Sequence, residues 1–300
     1  MTTSPYSPLP LAAALTALVE TESKGLEQGA APLLDKVTPT TAELLRWWFQ
    51  QDCVDARNVN FHPGQRRAIL NAIYAHEVLG AASLVDLYQK VSADDLLTAR
   101  RLEEVMRSQH QKYCLKMATG TGKTWVLQAL LYWQLLHANR APDDARFTRN
   151  FLVVAPGLIV YERLLDAFLG KERDGKRDFV TSDLAQFQEL FVPDTLREEV
   201  FRFAQGCVCK KEEIGVKVTA NGVIAVANWH LLADAEELPE EEAETEAPGL
   251  RADAKTVAEA ALPLSPGTSG SNSLEVLNRR FERGGVLSYL RPTELAVVQR

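Results

Sequence analysis

Two short runs, Phe151-Leu152-Val153-Val154-Ala155 and Val223-Ile224-Ala225-Val226-Ala227, are apolar at every position and rich in β-branched residues. Runs apolar on both faces, alternating with helical patterns, predict strands of a parallel sheet covered on two sides, an α/β architecture. Proline ends the first run at Pro156. Lys112–Met117 predicts another strand, and Leu295–Val298 a last one. Helical spacing predicts helices at Leu11–Leu26, from Ala42 through Phe49, at Arg66–Leu79, Ser83–Gln109, Trp125–Leu136, Tyr161–Leu169 and Leu274–Phe281. Thr40 or Thr41 is the expected cap of the second of these. Trp47 and Trp48 suit base stacking or a core anchor. Leu44, Leu45, Trp48 and Phe49 share one helical face, which favours the anchor.

A chain of 300 residues permits one large domain or two small ones. Net charge of −7 argues against nucleic acid only until its distribution is seen. Asp234 and seven glutamates, Glu236, Glu237, Glu240, Glu241, Glu242, Glu244 and Glu246, lie in a stretch free of Lys and Arg. Setting those eight aside leaves 32 acidic against 33 basic side chains. Residues 234–273 pass from this acidic run into Pro, Gly and Ser, as a flexible insertion would. Cys53, Cys114, Cys207 and Cys209 form neither a disulfide framework nor a zinc pattern, which fits a reducing, cytoplasmic setting. The apolar run Leu9–Val19 lacks a basic flank and a cleavage site, and no window of 18 apolar residues exists, so neither a signal peptide nor a membrane span is expected.

The candidate chemistry lies at Met117-Ala118-Thr119-Gly120-Thr121-Gly122-Lys123-Thr124, between an expected strand and an apolar helix. Gly120 and Gly122 allow a tight turn with N–H groups pointing inward, and the next helix aims its positive end at the same point. In this pattern Thr119, Gly120, Thr121 and Gly122 cradle phosphate, Lys123 supplies a cation to the terminal phosphates, and the Thr124 hydroxyl is placed for Mg2+. ATP and Mg2+ are the expected cofactors.

Met117–Thr124 resembles motif I of superfamily 2 helicases, in the form found in motor subunits of type I and type III restriction enzymes. Phe61-His62-Pro63-Gly64-Gln65-Arg66 resembles the segment upstream of motif I, whose glutamine reads the adenine edge; Gln65 offers the donor and acceptor that this needs. Phe151–Leu164 is similar to motif Ia and its flanks. Gly222–His230 is similar to the next strand, whose end touches the nucleic-acid backbone. The resemblance covers residues 38–300. It implies a helical N-terminal extension, 1–55, and an incomplete RecA-like P-loop domain, 56–300. It also implies nucleic-acid contacts, chiefly to phosphates of double-stranded DNA, at Pro156, Gly157, Asn228 and His230, and a modification or specificity subunit as partner. The basic clusters Lys171-Arg173-Lys176-Arg177 and Arg279-Arg280-Arg283 suit either nucleic acid or a solvated face.

The family holds Mg2+ with an Asp-Glu-Ala-His-type box after a strand. This chain has no Asp-Glu dipeptide, and Gln299-Arg300 follow Leu295–Val298 where the acids would stand. The second RecA-like domain with its arginine finger is also missing, so the chain reads as the front part of a motor that binds ATP without efficient turnover. An RNA helicase or repair motor of the same superfamily remains an alternative. So does a non-catalytic nucleotide-binding interaction module; a small-molecule kinase is a more distant one.

Overall fold

A computed structural model describes residues 10–96, 111, 113–118, 120–214, 217, 219, 221–228 and 296–298. The acidic insertion, the helix expected at Leu274–Phe281 and the cluster at Arg279 lie outside the described residues. The chain forms two compact units. One takes the chain up to His137 together with Glu189–Pro193. The other takes Ala138–Gln188 and the chain from Asp194 onward.

The first unit is helical: α1 (Pro10–Glu22), α2 (Pro39–Phe49), α3 (Gln51–Asp55), α4 (Pro63–Ile73), α5 (Leu84–Val91), α6 (Ala93–Leu96) and the start of α7 (Lys123–Arg140). The cap of α2 is Thr38, not Thr40 or Thr41. Its hydroxyl accepts from Thr41 N–H at 3.3 Å. Pro39, having no N–H to satisfy, takes the first helical position. Trp48 is 1% exposed, sits edge-to-face on Phe49 and Phe61, and donates its indole N–H to Phe191 O at 2.8 Å. Trp47 donates to Glu189 O at 2.9 Å and stacks under Arg57. Both tryptophans are therefore anchors. They hold the short segment Glu189–Pro193 that returns to this unit from far along the chain.

The α4 helix runs into a π-helical turn at Tyr74–Val78, which presents His76 and Glu77 to the interior. The Glu77 carboxylate accepts from Thr38 N–H and from the Thr41 hydroxyl, both at 2.5 Å. With its proton given to Glu77, the Thr41 hydroxyl accepts from Trp133 Nε1–H at 2.8 Å and from His137 Nε2 at 2.7 Å. His76 packs edge-on against Trp133. The unit thus ties α2, the π turn and α7 together through buried hydrogen bonds. Such a network is costly only if left incomplete. Helix α7 is buried nearly all round from Val126 to Ala138, as its mostly apolar sequence requires, and Gln128, Gln134 and His137 are buried with it.

Tyr113–Ala118 differs from expectation: it forms no strand. A strand needs a ladder partner, and among the described residues none pairs with this segment. Its side chains are also largely exposed, unlike those of the two apolar runs.

The second unit carries the sheet. Strands β1 (Asn150–Ala155), β4 (Val208–Cys209), β5 (Val223–Asn228) and β6 (Ala296–Val298) are all parallel, in the order β4-β5-β1-β6. β1 and β5 are buried at every position after the first, so the sheet is covered on both faces, as their sequences dictate. Leu152, Val154, Ala225 and Ala227 form one core cluster. Helices α8 (Leu158–Leu169) and α9 (Asp194–Cys207) pack on these strands. This is the α/β fold of RecA-like type, preceded by helices. Between α8 and α9 lies a hairpin, β2 (Glu172–Arg173) with β3 (Lys176–Arg177). Arg177 is the buried member of the basic cluster: its guanidinium bonds Glu162 at 2.5 Å and Asp166 at 2.7 Å on α8. It fastens the hairpin to α8 and does not face a nucleic acid. Cys207 and Cys209 are buried free thiols, and burial raises the Cys209 pKa.

Candidate functional site

Gly120 has φ 79 and Gly122 φ 70, with Thr121 between them in ordinary negative φ. Left-handed glycines on either side of one residue suit a turn whose successive N–H groups face one side, the arrangement of an anion-binding nest. The Thr121 hydroxyl closes the turn on Ala118 O at 2.7 Å. Lys123 and Thr124 are the first two residues of α7, half-exposed, at the positive end of a helix of 18 residues. Nest, helix terminus, cation and hydroxyl thus follow one another within five residues, a donor set that fits a phosphate chain with its divalent ion. Thr119 and His230 lie outside the described residues.

The carbonyl side of this loop is held from α4. His62 caps α4 through its imidazole, with Pro63 at the first helical position. Gln65, at the third, is 2% exposed. Its Oε1 accepts from His62 N–H at 2.9 Å, and its Nε2 donates to Gly122 O at 3.2 Å. The carboxamide therefore faces backbone, joining the start of α4 to the phosphate loop. The His-Pro-Gly-Gln spacing is a capping-box spacing, which is the signal in the sequence for this arrangement. His62 Nε2 lies 3.1 Å from Thr121 O, a contact that sequence reasoning misses.

A Cβ on Gly122 would lie 2.3 Å from Gln65 Nε2, whereas one on Gly120 would meet nothing within 4 Å. Both residues have positive φ, which costs a side chain about 1–2 kcal/mol. Gly122→Ala is expected to lose about 1 kcal/mol more than Gly120→Ala in urea unfolding, because it also displaces the Gln65 hydrogen bond. Equal losses would show that Gln65 yields freely and does not lock the loop.

In the second unit, Ala155 pairs with Asn228 across β1 and β5. Pro156-Gly157 and the end of β5 at Asn228 consequently lie at the same edge, the carboxyl ends of the strands. Ligands of open α/β sheets bind at that edge. Pro156 is exposed, Gly157 half-buried, and the Asn228 side chain fully buried. Beside them, Leu158 is 38% and Ile159 76% exposed at the start of α8. Among the described residues no helix is long and apolar enough to cross a membrane.

Comparison with known proteins gives one family. The model of the type III restriction enzyme res subunit matches residues 59–232, more than half of the chain. The match takes in the phosphate loop, β1 and β5, and it stops where the acidic run begins. No curated protein and no solved structure matches the chain. With the Gly-rich loop, the parallel sheet and this match in agreement, the chain belongs to the family of type III restriction enzyme res subunits, and residues 59–232 are its helicase-type domain.

Proposed function

We propose that the chain binds ATP with Mg2+ as the front part of a DNA helicase or translocase of the type III restriction kind, in the cytoplasm, with a modification subunit as partner. The observation that carries this reading is the nest at Gly120–Gly122 placed on the N-terminus of α7, immediately before Lys123. Gly120, Thr121 and Gly122, with Thr119, bind phosphate through backbone N–H groups. Lys123 neutralises the terminal phosphates, and the Thr124 hydroxyl takes a place on the divalent ion. ATP supplies, when bound, the free energy of phosphoryl transfer. Gln65 reads the adenine edge, its Nε2 keeping one N–H on the Gly122 carbonyl and offering the other to the base. The ATP-binding domain runs over 56–300, with 1–55 as a helical extension and 234–273 as an insertion. Pro156, Gly157, Asn228 and His230 contribute the edge that meets duplex DNA. The contacts there are to phosphates, so binding is independent of sequence and weakens with salt.

The test is a titration of the protein with a fluorescent ATP analogue, with and without Mg2+, beside Lys123→Ala. A lysine–phosphate bond is charge-assisted and contributes about 1.5–3 kcal/mol. The variant is therefore expected to bind roughly ten- to a hundred-fold more weakly. No saturable binding by the unaltered protein, or equal binding by the variant, would overturn the reading. A separate titration of fluorescent duplex DNA, with RNA as competitor, separates a DNA motor from an RNA helicase.

A further inference from the structure

A loop that binds phosphate through N–H groups must keep its carbonyl oxygens away from the anion, because a carbonyl dipole turned inward repels it. Two carbonyls of the nest between Gly120 and Gly122, Thr121 O and Gly122 O, face the start of α4. Gln65 takes the second. The first is met by His62, and the geometry fixes how. His62 Nδ1 lies 2.9 Å from Gly64 N, whose only polar hydrogen points to it, so Nδ1 is the acceptor. The proton of the neutral ring is therefore on Nε2, and Nε2–H is the donor to Thr121 O at 3.1 Å. Gly64 is part of the arrangement: a Cβ there would come within 2.8 Å of His62 Cε1, so a larger residue would push the ring off its cap.

We propose that His62 is a positioning residue for nucleotide binding: through one tautomer it caps α4 with Nδ1 and holds the Thr121 carbonyl outward with Nε2–H, presetting the phosphate nest. This inference rests on the reading of Met117–Thr124 as a phosphate loop. Since His62 acts on the loop and not on the base, its contribution is the same for any nucleoside triphosphate and for inorganic tripolyphosphate. The contact is exposed, which keeps its effect small next to that of Lys123.

The two roles of the ring separate by substitution. His62→Asn keeps a short side-chain acceptor for the cap but is too short to reach Thr121. His62→Gln keeps a donor at about the reach of Nε2 and makes a poorer cap. Fluorescent-ATP titration, with ATP, GTP and tripolyphosphate as competitors, is run on the full chain and paired with thermal unfolding. Loss of one neutral hydrogen bond predicts that His62→Asn binds all three ligands about five-fold more weakly at unchanged Tm. His62→Gln binds as the unaltered protein does at a lowered Tm. If affinity instead follows Tm across the two variants, or if only ATP is affected, His62 is a cap alone or a base contact, and the proposal is wrong. Failure of the phosphate-loop reading looks different: the unaltered protein does not bind, or Lys123→Ala binds equally well.

Discussion

Glu77→Ala is expected to destabilise the protein by about 3–5 kcal/mol, because it removes two buried hydrogen bonds to a charged group, each worth about 1.5–3 kcal/mol. The carboxylate is 5% exposed and serves two donors, Thr38 N–H and the Thr41 hydroxyl. Removing it leaves the amide without its acceptor and frees the Thr41 proton, which disturbs the bonds that Thr41 accepts from Trp133 and His137. Glu77→Gln has the same shape and keeps one acceptor oxygen, but its amide group faces the second donor, so it is expected to cost about half as much. Urea unfolding of both variants measures this. An alanine variant within about 1 kcal/mol of the parent would mean that water enters and replaces the carboxylate. The effect reaches function through α7, because the helix fixed near its end by His137 begins with Lys123.

Trp48→Ala is the second large loss, again about 3–5 kcal/mol, the usual cost of truncating a buried large aromatic. The ring is 1% exposed and touches Phe49 and Phe61, while Phe61 immediately precedes the His62 cap. The variant also leaves the Phe191 carbonyl without its indole donor. Trp48→Phe keeps most of the packing and drops the hydrogen bond, so it is expected to lose only about 1–2 kcal/mol. A small effect of alanine would show that Trp48 fills space that its neighbours can close. It would also weaken the view of residues 10–55 as part of the core of the first unit.

The sequence shows the parts of this fold that depend on burial alone. β1 and β5 are apolar on both faces because both faces are covered, and they appear within a residue of where their pattern puts them. Helix α7 is legible for the same reason. Pairing is less legible. Lys112–Met117 has strand-like residues at its end, but a strand exists only with a partner, and that information is not local. Val208–Cys209 is the converse: two residues too few to carry a pattern, made a strand by the edge of β5. Helix α9 does carry its signal, since Leu196, Val200, Phe203 and Cys207 are buried at helical spacing among many charged residues. At the site, glycine positions and the helix start follow directly from the loop's residues. The partner of Gln65 does not. A carboxamide suits a base edge and a backbone carbonyl equally, and only the fold says which lies 3.2 Å away. His62 is hidden for a similar reason: nothing in the string His-Pro-Gly-Gln says what stands across from the free face of the ring.

The return of Glu189–Pro193 to the first unit has a consequence for the order in which the molecule is made. The carbonyls that accept from Trp47 and Trp48 are 142 and 143 positions further along the chain. At about 5–20 residues per second during synthesis, the tryptophans wait roughly 7–30 seconds for their partners to emerge. During that time β1 and α8 are completed, although they belong to the other unit. The helical unit is thus closed only after part of the other unit has been made. Long-range closures of this kind slow folding, and the exposed indoles of the nascent chain are the surface that a holding chaperone would meet.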